Sequence, residues 1–390
     1  MFPTDFANSP FIVIWEVTRA CALACLHCRA DAIARRDPRE LTTEEGHRLV
    51  DQIVSFGAPY PLLVLTGGDP MWRKDLADLV GYASAKGLSV ALTPSGTGAA
   101  TKSRLAELKA AGLSRVAVSL DGPDPETHDQ FRRVRGSFIY TMKIIDSVTE
   151  LGLPLQINTT VSRVTLPTLR AMADRVGEFP LTLWAVFFLI QTGRGVALDQ
   201  ISAEECEDVL LWLHELSGRV PFGIKTTEAP HFRRVIAQAE GTLSFPATSS
   251  RSSTSSIPST PGTLGTPGNL GTPSNSLFKR PQLRASRAVN DGNGFVFIDH
   301  VGEICPSGFL PMARGNVRNA SLVDIYRNDE VFRQLRDADG LNGRCGRCEF
   351  REVCGGSRSR AFAATGDPFG TDPLCAYVPE TVAELVAQPR

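Results

Sequence analysis

From residue 11 to residue 190 short aliphatic and β-branched runs alternate with longer stretches whose apolar residues recur at helical spacing. FIVIWEV is followed by TTEEGHRLVDQIVSF and then by PLLVLT. The alternation continues with helices predicted near residues 74–86, 101–111, 138–151 and 168–176, set between the strands LSVALT, RVAVSL, LPLQINTTV and LTLWAVFFLI. Each strand runs into a turn of Gly, Pro, Ser or Asp. Six strand positions of this kind predict an α/β fold with a parallel sheet, either curved into a partial (β/α)6 barrel or open. In such sheets chemistry gathers at the C-terminal strand ends, so the turns after the strands are the places to look for it.

The pattern breaks after residue 240. Of the 37 residues 241–277, 27 are Gly, Ser, Thr or Pro and Arg251 carries the only charge, so this stretch has nothing with which to build a core. TPGTLG, TPGNLG and TPSNSL repeat within it, too short and too polar for a solenoid. Residues 241–290 therefore read as a disordered low-complexity insertion or linker. It divides the chain into a first domain, 8–225, and a small α+β domain, 291–380. In the second, FVFIDHVGEICPSG reads as a β-hairpin that turns at His300–Glu303 and carries Cys305 on its returning strand, and SLVDIYRNDEVFRQLRDA reads as helical.

Composition narrows the function classes. The 390 residues carry 41 Lys and Arg against 42 Asp and Glu, which gives no electrostatic footprint for nucleic acid or an anionic membrane. No run approaches the ~18 apolar residues of a spanning helix, and the opening MFPTDFANSP lacks the regions of a signal peptide. A cytoplasmic protein acting on a small molecule or peptide is the expectation. Nine cysteines, bunched towards the two ends, do not form the even framework of a disulfide-bonded secreted domain, so metal binding is the leading reading. Cys206, alone in the amphipathic ISAEECEDVLLWLHEL, reads as a buried inert thiol.

Cys21, Cys25 and Cys28 follow the first strand in TRACALACLHCRA. Three thiolates can hold three irons of a [4Fe–4S] cube and leave the fourth open to a ligand, whereas zinc would take a fourth ligand, which His27 could supply. The second strand ends in Gly67-Gly68-Asp69-Pro70, where glycines allow close approach to the backbone and a carboxylate can accept from an ammonium. Together, in this order on successive β/α units, the two motifs resemble the radical S-adenosylmethionine superfamily over residues 11 to about 225. The resemblance implies a [4Fe–4S] cluster on the three cysteines that binds S-adenosylmethionine and cleaves it reductively, so that an adenosyl radical abstracts a substrate hydrogen. It places Gly67, Gly68 and Asp69 near the amino group, His27 beside the adenine, and Ser95, Ser119, Asp121, Asn158 and Arg163 as further contacts. An electron donor such as flavodoxin or ferredoxin is implied.

In the tail, Cys345, Cys348, Cys354 and Cys375 resemble the ligands of a SPASM or twitch domain. Arg358 stands where a further cysteine would be expected, which implies one auxiliary [4Fe–4S] cluster and leaves Cys305 as a substrate-facing thiol, an unexpected ligand or a structural residue. ICPSGFLPMARGNVR, CGRCEFREVCGGSRSRAFAATGDP and DPLC resemble the branch that modifies haem precursors, including iron-coproporphyrin decarboxylases, so a tetrapyrrole substrate is implied, with a ribosomally made peptide as the alternative. Propionates would need cations, for which Arg132, Arg133, Arg135, Arg194, Lys225, His231, Arg233 and Arg234 are candidates, His231 being either a ligand to a haem-like iron or a hydrogen-bonded structural residue.

Overall fold

The structure is a computed structural model and describes residues 5–241 and 289–380. Most of the insertion expected over 241–290, including all its repeats, lies outside the described residues.

Among the described residues nine strands form one sheet: β1 (Ile12–Glu16), β2 (Leu62–Thr66), β3 (Val90–Leu92), β4 (Leu113–Ser119), β5 (Leu155–Val161), β6 (Leu183–Phe188), β7 (Gly223–Thr227), β8 (Phe295–Ile298) and β9 (Ile304–Cys305). Their order is β7-β6-β5-β4-β3-β2-β1-β8-β9, parallel up to β8, with β9 antiparallel to it. The helices between the barrel strands are α1 (Thr43–Val54), α2 (Leu76–Ala85), α3 (Lys102–Ala110), α4 (Pro125–Arg132), α5 (Ser137–Glu150), α6 (Leu169–Gly177) and α7 (Ala203–Ser217), and α8 (His231–Glu240) follows β7. The partial barrel is as expected, but with more strands than six. GIKTT was too polar to stand out as a strand, and β8 adds the tail's first hairpin to the barrel sheet beside β1.

Period-two alternation gives the sheet two unlike faces. Val13, Trp15, Leu63, Leu65, Val90, Leu92, Val116, Val118, Leu155, Ile157, Trp184 and Val186 point outward into one core shared with the helices. Gly46 shows how tightly α1 lies on that face: a Cβ there would meet the Trp15 ring and Leu79 at 2.7 Å, so the helix keeps a residue that costs it about 1 kcal/mol in propensity. The opposite, concave face carries Ile12, Ile14, Leu62 and Val64 on β1 and β2, all partly open, and Arg115, Ser119, Gln156, Asn158 and Lys225 on β4, β5 and β7.

Capping decides where two key helices start. Thr42 with Glu45 opens α1 and Ser202 with Glu205 opens α7, each as a reciprocal capping box. The tail continues with α9 (Leu322–Asn328), α10 (Glu330–Leu335), α11 (Gly343–Gly346) and α12 (Arg358–Thr365), the expected helical stretch being divided at Asp329, whose side chain caps α10. Gln52 on α1 accepts from Leu322 N at 2.8 Å and Tyr326 enters the main core, which fastens the tail to the barrel.

Candidate active site

Cys21, Cys25 and Cys28 converge in one buried loop above β1, packed with Leu23, Ala32 and Val134. Their sulfurs are met by donors: Leu23 N at 3.3 Å from Cys21 Sγ, Arg132 Nη1 at 3.5 Å from Cys25 Sγ and Ala32 N at 3.4 Å from Cys28 Sγ. Such donors favour thiolate, the ligating form, against the burial that pushes the free Cys21 thiol up. The donor set therefore suits an iron–sulfur cluster.

Gly67, Gly68, Asp69 and Ser95 meet this loop. Gly68 N donates to Thr18 O at 2.8 Å and Asp69 N to Ala20 O at 2.7 Å, and a Cβ on Gly68 would fall 2.4 Å from Ala20 O. At Gly68 the close approach is made by the cysteine loop's own backbone, which corrects the sequence-based picture of room left for a ligand. Asp69 departs from expectation too. It is fully buried, accepting from Met71 N, Ser95 N and Thr97 Oγ1, and burial pushes its carboxyl up, so it braces the turn instead of presenting a free carboxylate to an ammonium. Ser95 Oγ donates to Gly68 O at 2.6 Å and lies 3.5 Å from Cys21 Sγ, linking motif to loop.

Helix α4, absent from the sequence reading although Asp124 and Pro125 are a clear start signal, holds the loop from the other side. Phe131 stacks on His27, centroids 4.5 Å apart and planes at 10°, and Phe131 O accepts from Leu26 N. Burial, with Arg132 adding to it, brings His27 down to about 3, so the ring is a neutral plane whose Nδ1 has no partner. Arg132 pairs with Asp121, which also accepts from Thr160 N at 2.7 Å. Asp121 is thus committed to a cation and Arg132 to the cluster loop, a correction to the roles expected for both. Ser119 and Asn158 face each other on adjacent strands, with Gln156 Nε2 donating to Asn158 Oδ1. Arg163 is not brought to this group: its guanidinium forms a two-pronged exposed pair with Glu205 at 2.5 and 2.6 Å.

The loop after β6 also grips the cysteine loop. Arg194 donates to Cys25 O at 3.0 Å and Ala32 O at 3.1 Å, and Gly193, at φ +54°, sits where a Cβ would meet Cys28 O at 2.4 Å. Arg194 therefore holds the loop through Nε and Nη1, while its Nη2 has no partner among the described residues. Glu16, at the end of β1, pairs with Arg29 at 2.5 Å and His300 at 3.2 Å; burial alone would raise its carboxyl, but these two cations bring it below the usual range. That joins the loop's far end to the hairpin carrying Cys305. Cys305 is buried, with its thiol pushed up to about 12 mainly by burial, and does not join the tail cysteines.

In the tail, Cys345, Cys348, Cys354 and Cys375 line one half-open pocket together with His231 and Arg234. Among the described residues no three His, Cys, Asp or Glu side chains converge on a single-ion site, and the four thiols share the lining of one pocket, the number of thiolates a [4Fe–4S] cluster takes. Donors again face the sulfurs: Asp372 N and Arg358 Nη2 to Cys345, and Gly356 N to Cys354. Arg358 is buried and also donates to Pro368 O and Gly370 O, so the residue in the place of a cysteine is a strut. His231 lies 3.1 Å from Asp372, off the line of a well-aligned hydrogen bond, and reads as an ion pair; it is held up at about 9, burial opposing and Asp372 and Cys375 prevailing. The structural alternative for His231 thus replaces the iron-ligand one. Arg234 is likewise spent, on Glu207 and Gln238.

Of the expected substrate cations, Lys225 stands on the concave face. Arg115, not anticipated, stands there too, and the signal for it was a charged residue inside an otherwise apolar strand, RVAVSL.

The Radical SAM superfamily profile matches residues 15–176. The chain is 37% identical over 370 residues to an AdoMet-dependent heme synthase of Oleidesulfovibrio alaskensis, covering 94% of this chain and 87% of that one. It is 27% identical to a PqqA peptide cyclase of Bradyrhizobium diazoefficiens, over 95% and 87% of the two chains. Among solved structures, Streptococcus suis SuiB bound to precursor peptide SuiA superposes with a TM-score of 0.67 at 15% identity, covering 95% of this chain and 76% of that one, a likeness of fold. With its cysteine loop, glycine turn and partial barrel, the chain belongs to the radical SAM superfamily, enzymes that use a [4Fe–4S] cluster and S-adenosylmethionine.

Proposed function

We propose that the chain decarboxylates propionate side chains of an iron-bearing haem precursor to vinyl groups. The observation that carries this reading is the concave sheet face, apolar over β1 and β2 and cationic over β4 and β7, which matches a flat apolar ring edged with carboxylates. Similarity to a heme synthase over nearly the whole chain supports it.

On this reading Cys21, Cys25 and Cys28 hold the cluster that supplies, with S-adenosylmethionine, a radical able to take hydrogen from carbon. His27 offers a neutral ring beside the adenine, Gly67 and Gly68 seat the cysteine loop, and Ser119 and Asn158 offer polar atoms on the concave face. Asp69, Ser95 and Asp121 act on the loop and its turn, and Arg163 takes no part. Cys345, Cys348, Cys354 and Cys375 would hold one auxiliary cluster, whose chemistry would supply an acceptor for the surplus electron of the decarboxylation. The barrel domain, expected over 8–225 and carried by β7 to Thr227, and the tail, 291–380, work in the cytoplasm with flavodoxin or ferredoxin as donor. No described helix is long and apolar enough to cross a membrane.

The test is an anaerobic incubation of reconstituted protein with iron coproporphyrin III, S-adenosylmethionine and reductant, read by mass spectrometry. Loss of carbon dioxide from the tetrapyrrole is expected. 5′-Deoxyadenosine formed with the tetrapyrrole unchanged would reject the reading and favour a peptide substrate, the class named for the cyclase relative.

A further inference from the structure

His300 lies in the turn after β8, level with the end of β1, since Ile298 pairs with Trp15. It is buried, and its ring stands between two carboxylates: Nδ1 is 3.2 Å from Glu16 Oε1 and Nε2 is 3.6 Å from Asp37 Oδ2. Asp299, on the same turn, is 4.0 Å from Nδ1. These contacts bracket the cysteine loop, because Glu16 precedes Cys21 in the chain and Asp37 follows Cys28. Arg29, next to Cys28, belongs to the same bracket: besides pairing with Glu16 it donates to Gly308 O at 3.4 Å and lies over the Phe297 ring, 4.6 Å from its centroid. A Cβ on Gly308 would meet that guanidinium at 3.1 Å, so the tail leaves room for it. Glu16, Asp37 and Asp299 thus face the imidazole, while two guanidiniums pair with this group, Arg29 with Glu16 and Arg39 with Asp37. Arg19 and Arg318 also reach the neighbourhood but are held elsewhere, Arg19 on Asp31 O and Arg318 on Glu45. A cationic His300 balances the three carboxylates; a neutral one leaves negative charge in excess beside a buried ring, which is costly. Burial and Arg19 oppose that charge, but Glu16 and Asp299 prevail and raise the imidazole above its usual 6.5.

We propose that His300, as a cation, is a positioning residue for the N-terminal cluster: from the tail it clamps Glu16 and Asp37, and through Glu16 it holds Arg29 and the outgoing limb of the cysteine loop. The barrel's cluster loop is thereby locked by the tail, and the lock depends on charge. It operates whichever substrate the chain takes. A histidine whose folded value is raised contributes fully below its unfolded value, about 6.5, and that contribution is lost as the pH rises through the folded value. His300's share of the grip is therefore greatest on the acid side of neutrality and fades on the alkaline side.

The test follows loss of the N-terminal cluster from anaerobically reconstituted protein in excess ferrous chelator, from about pH 6 to about pH 9. The cluster is read by the EPR signal of the reduced protein that responds to added S-adenosylmethionine, which sets it apart from the tail cluster, with iron content measured beside it. His300→Gln should lose the cluster about tenfold faster than the parent at about pH 6, the scale of one charge-assisted contact removed from a local opening. The ratio of the two rates should fall towards one as the pH rises and the parent's imidazole gives up its proton; titration of groups common to both proteins cancels in the ratio. Asp37→Asn takes one carboxylate from the ring, so its cluster loss should accelerate at a lower pH than the parent's. Circular dichroism shows whether each variant is folded, and Asp37→Asn carries the test if His300→Gln is not. A ratio of about one at the acid end overturns the clamp. A ratio above one that stays constant with pH assigns the effect to packing and overturns the role of charge, as does an Asp37→Asn profile that coincides with the parent's.

Discussion

Asp372→Asn should uncouple the tail from the barrel. Asp372 is fully buried and accepts from Ser357 N at 2.7 Å, Leu374 N at 3.0 Å and Arg360 Nη1 at 3.2 Å, while facing His231 at 3.1 Å. Arg360 is equally buried and reaches on to the carbonyls of Phe188 and Leu189 at the end of β6. One carboxylate thus neutralises the guanidinium that ties α12 to a barrel strand, and its own backbone N–H meets Cys345 Sγ. The asparagine keeps an acceptor but not the charge, so the buried Arg360 is left uncompensated, a change that costs about 3–5 kcal/mol. Arg163→Ala is the internal standard: that pair is exposed, so it should cost no more than about 1 kcal/mol and leave 5′-deoxyadenosine formation unchanged. Urea unfolding of the reconstituted proteins, with tryptophan emission reporting the barrel and iron content the clusters, separates the outcomes. A chain with two cluster regions need not unfold in one step, so midpoints are compared probe by probe. If Asp372→Asn unfolds within about 1 kcal/mol of the parent and keeps all its iron, the buried ion network does not join tail to barrel.

Gly68→Ala should strip iron from the N-terminal cluster and spare the tail, because its Cβ would meet Ala20 O at 2.4 Å and Arg19 O at 2.6 Å; iron and sulfide content per chain measures this, and full retention contradicts it. Arg132→Gln removes the cation beside Cys25 Sγ, so the N-terminal cluster should become harder to reduce; potentiometry with EPR detection should show a lower midpoint, and an unchanged one would deny Arg132 that influence. Lys225, at about 8 when folded against the usual ~10.4, binds fewer protons in the native state than in the unfolded state over that interval. Stability should therefore rise with pH from about 8 to about 10.4, by at most ~3 kcal/mol, and Lys225→Met should lose that rise; parallel pH profiles of urea midpoints for the two proteins would contradict it.

The barrel was legible because its strands alternate with helices of clear period, and because a cysteine loop and a glycine turn can each be recognised within a few residues. What each motif touches was not legible. Gly68 reads as space for a ligand until the backbone of Arg19 and Ala20 is seen to fill it, and Asp69 reads as a free carboxylate until its three donors are counted. Arginines were the hardest to assign. Arg132, Arg194 and Arg234 look alike in sequence, and only long-range partners, such as Cys25 O lying 169 residues from Arg194, show that they bind the protein itself. β7 escaped notice because GIKTT lacks an apolar alternation, and with it went the placement of Lys225 opposite Arg115's strand face. The union of β8 with β1 joins segments on either side of the insertion, and no local pattern encodes such a pairing.

On the proposed function, a radical made at the N-terminal cysteine loop takes hydrogen from a propionate side chain. Iron coproporphyrin III deuterated on the propionate carbon next to the ring tests it directly, with the recovered 5′-deoxyadenosine weighed by mass spectrometry. Deuterium is expected in 5′-deoxyadenosine, one molecule for each vinyl group formed, and none of either product from Cys28→Ala. Vinyl formation accompanied by unlabelled 5′-deoxyadenosine would contradict it.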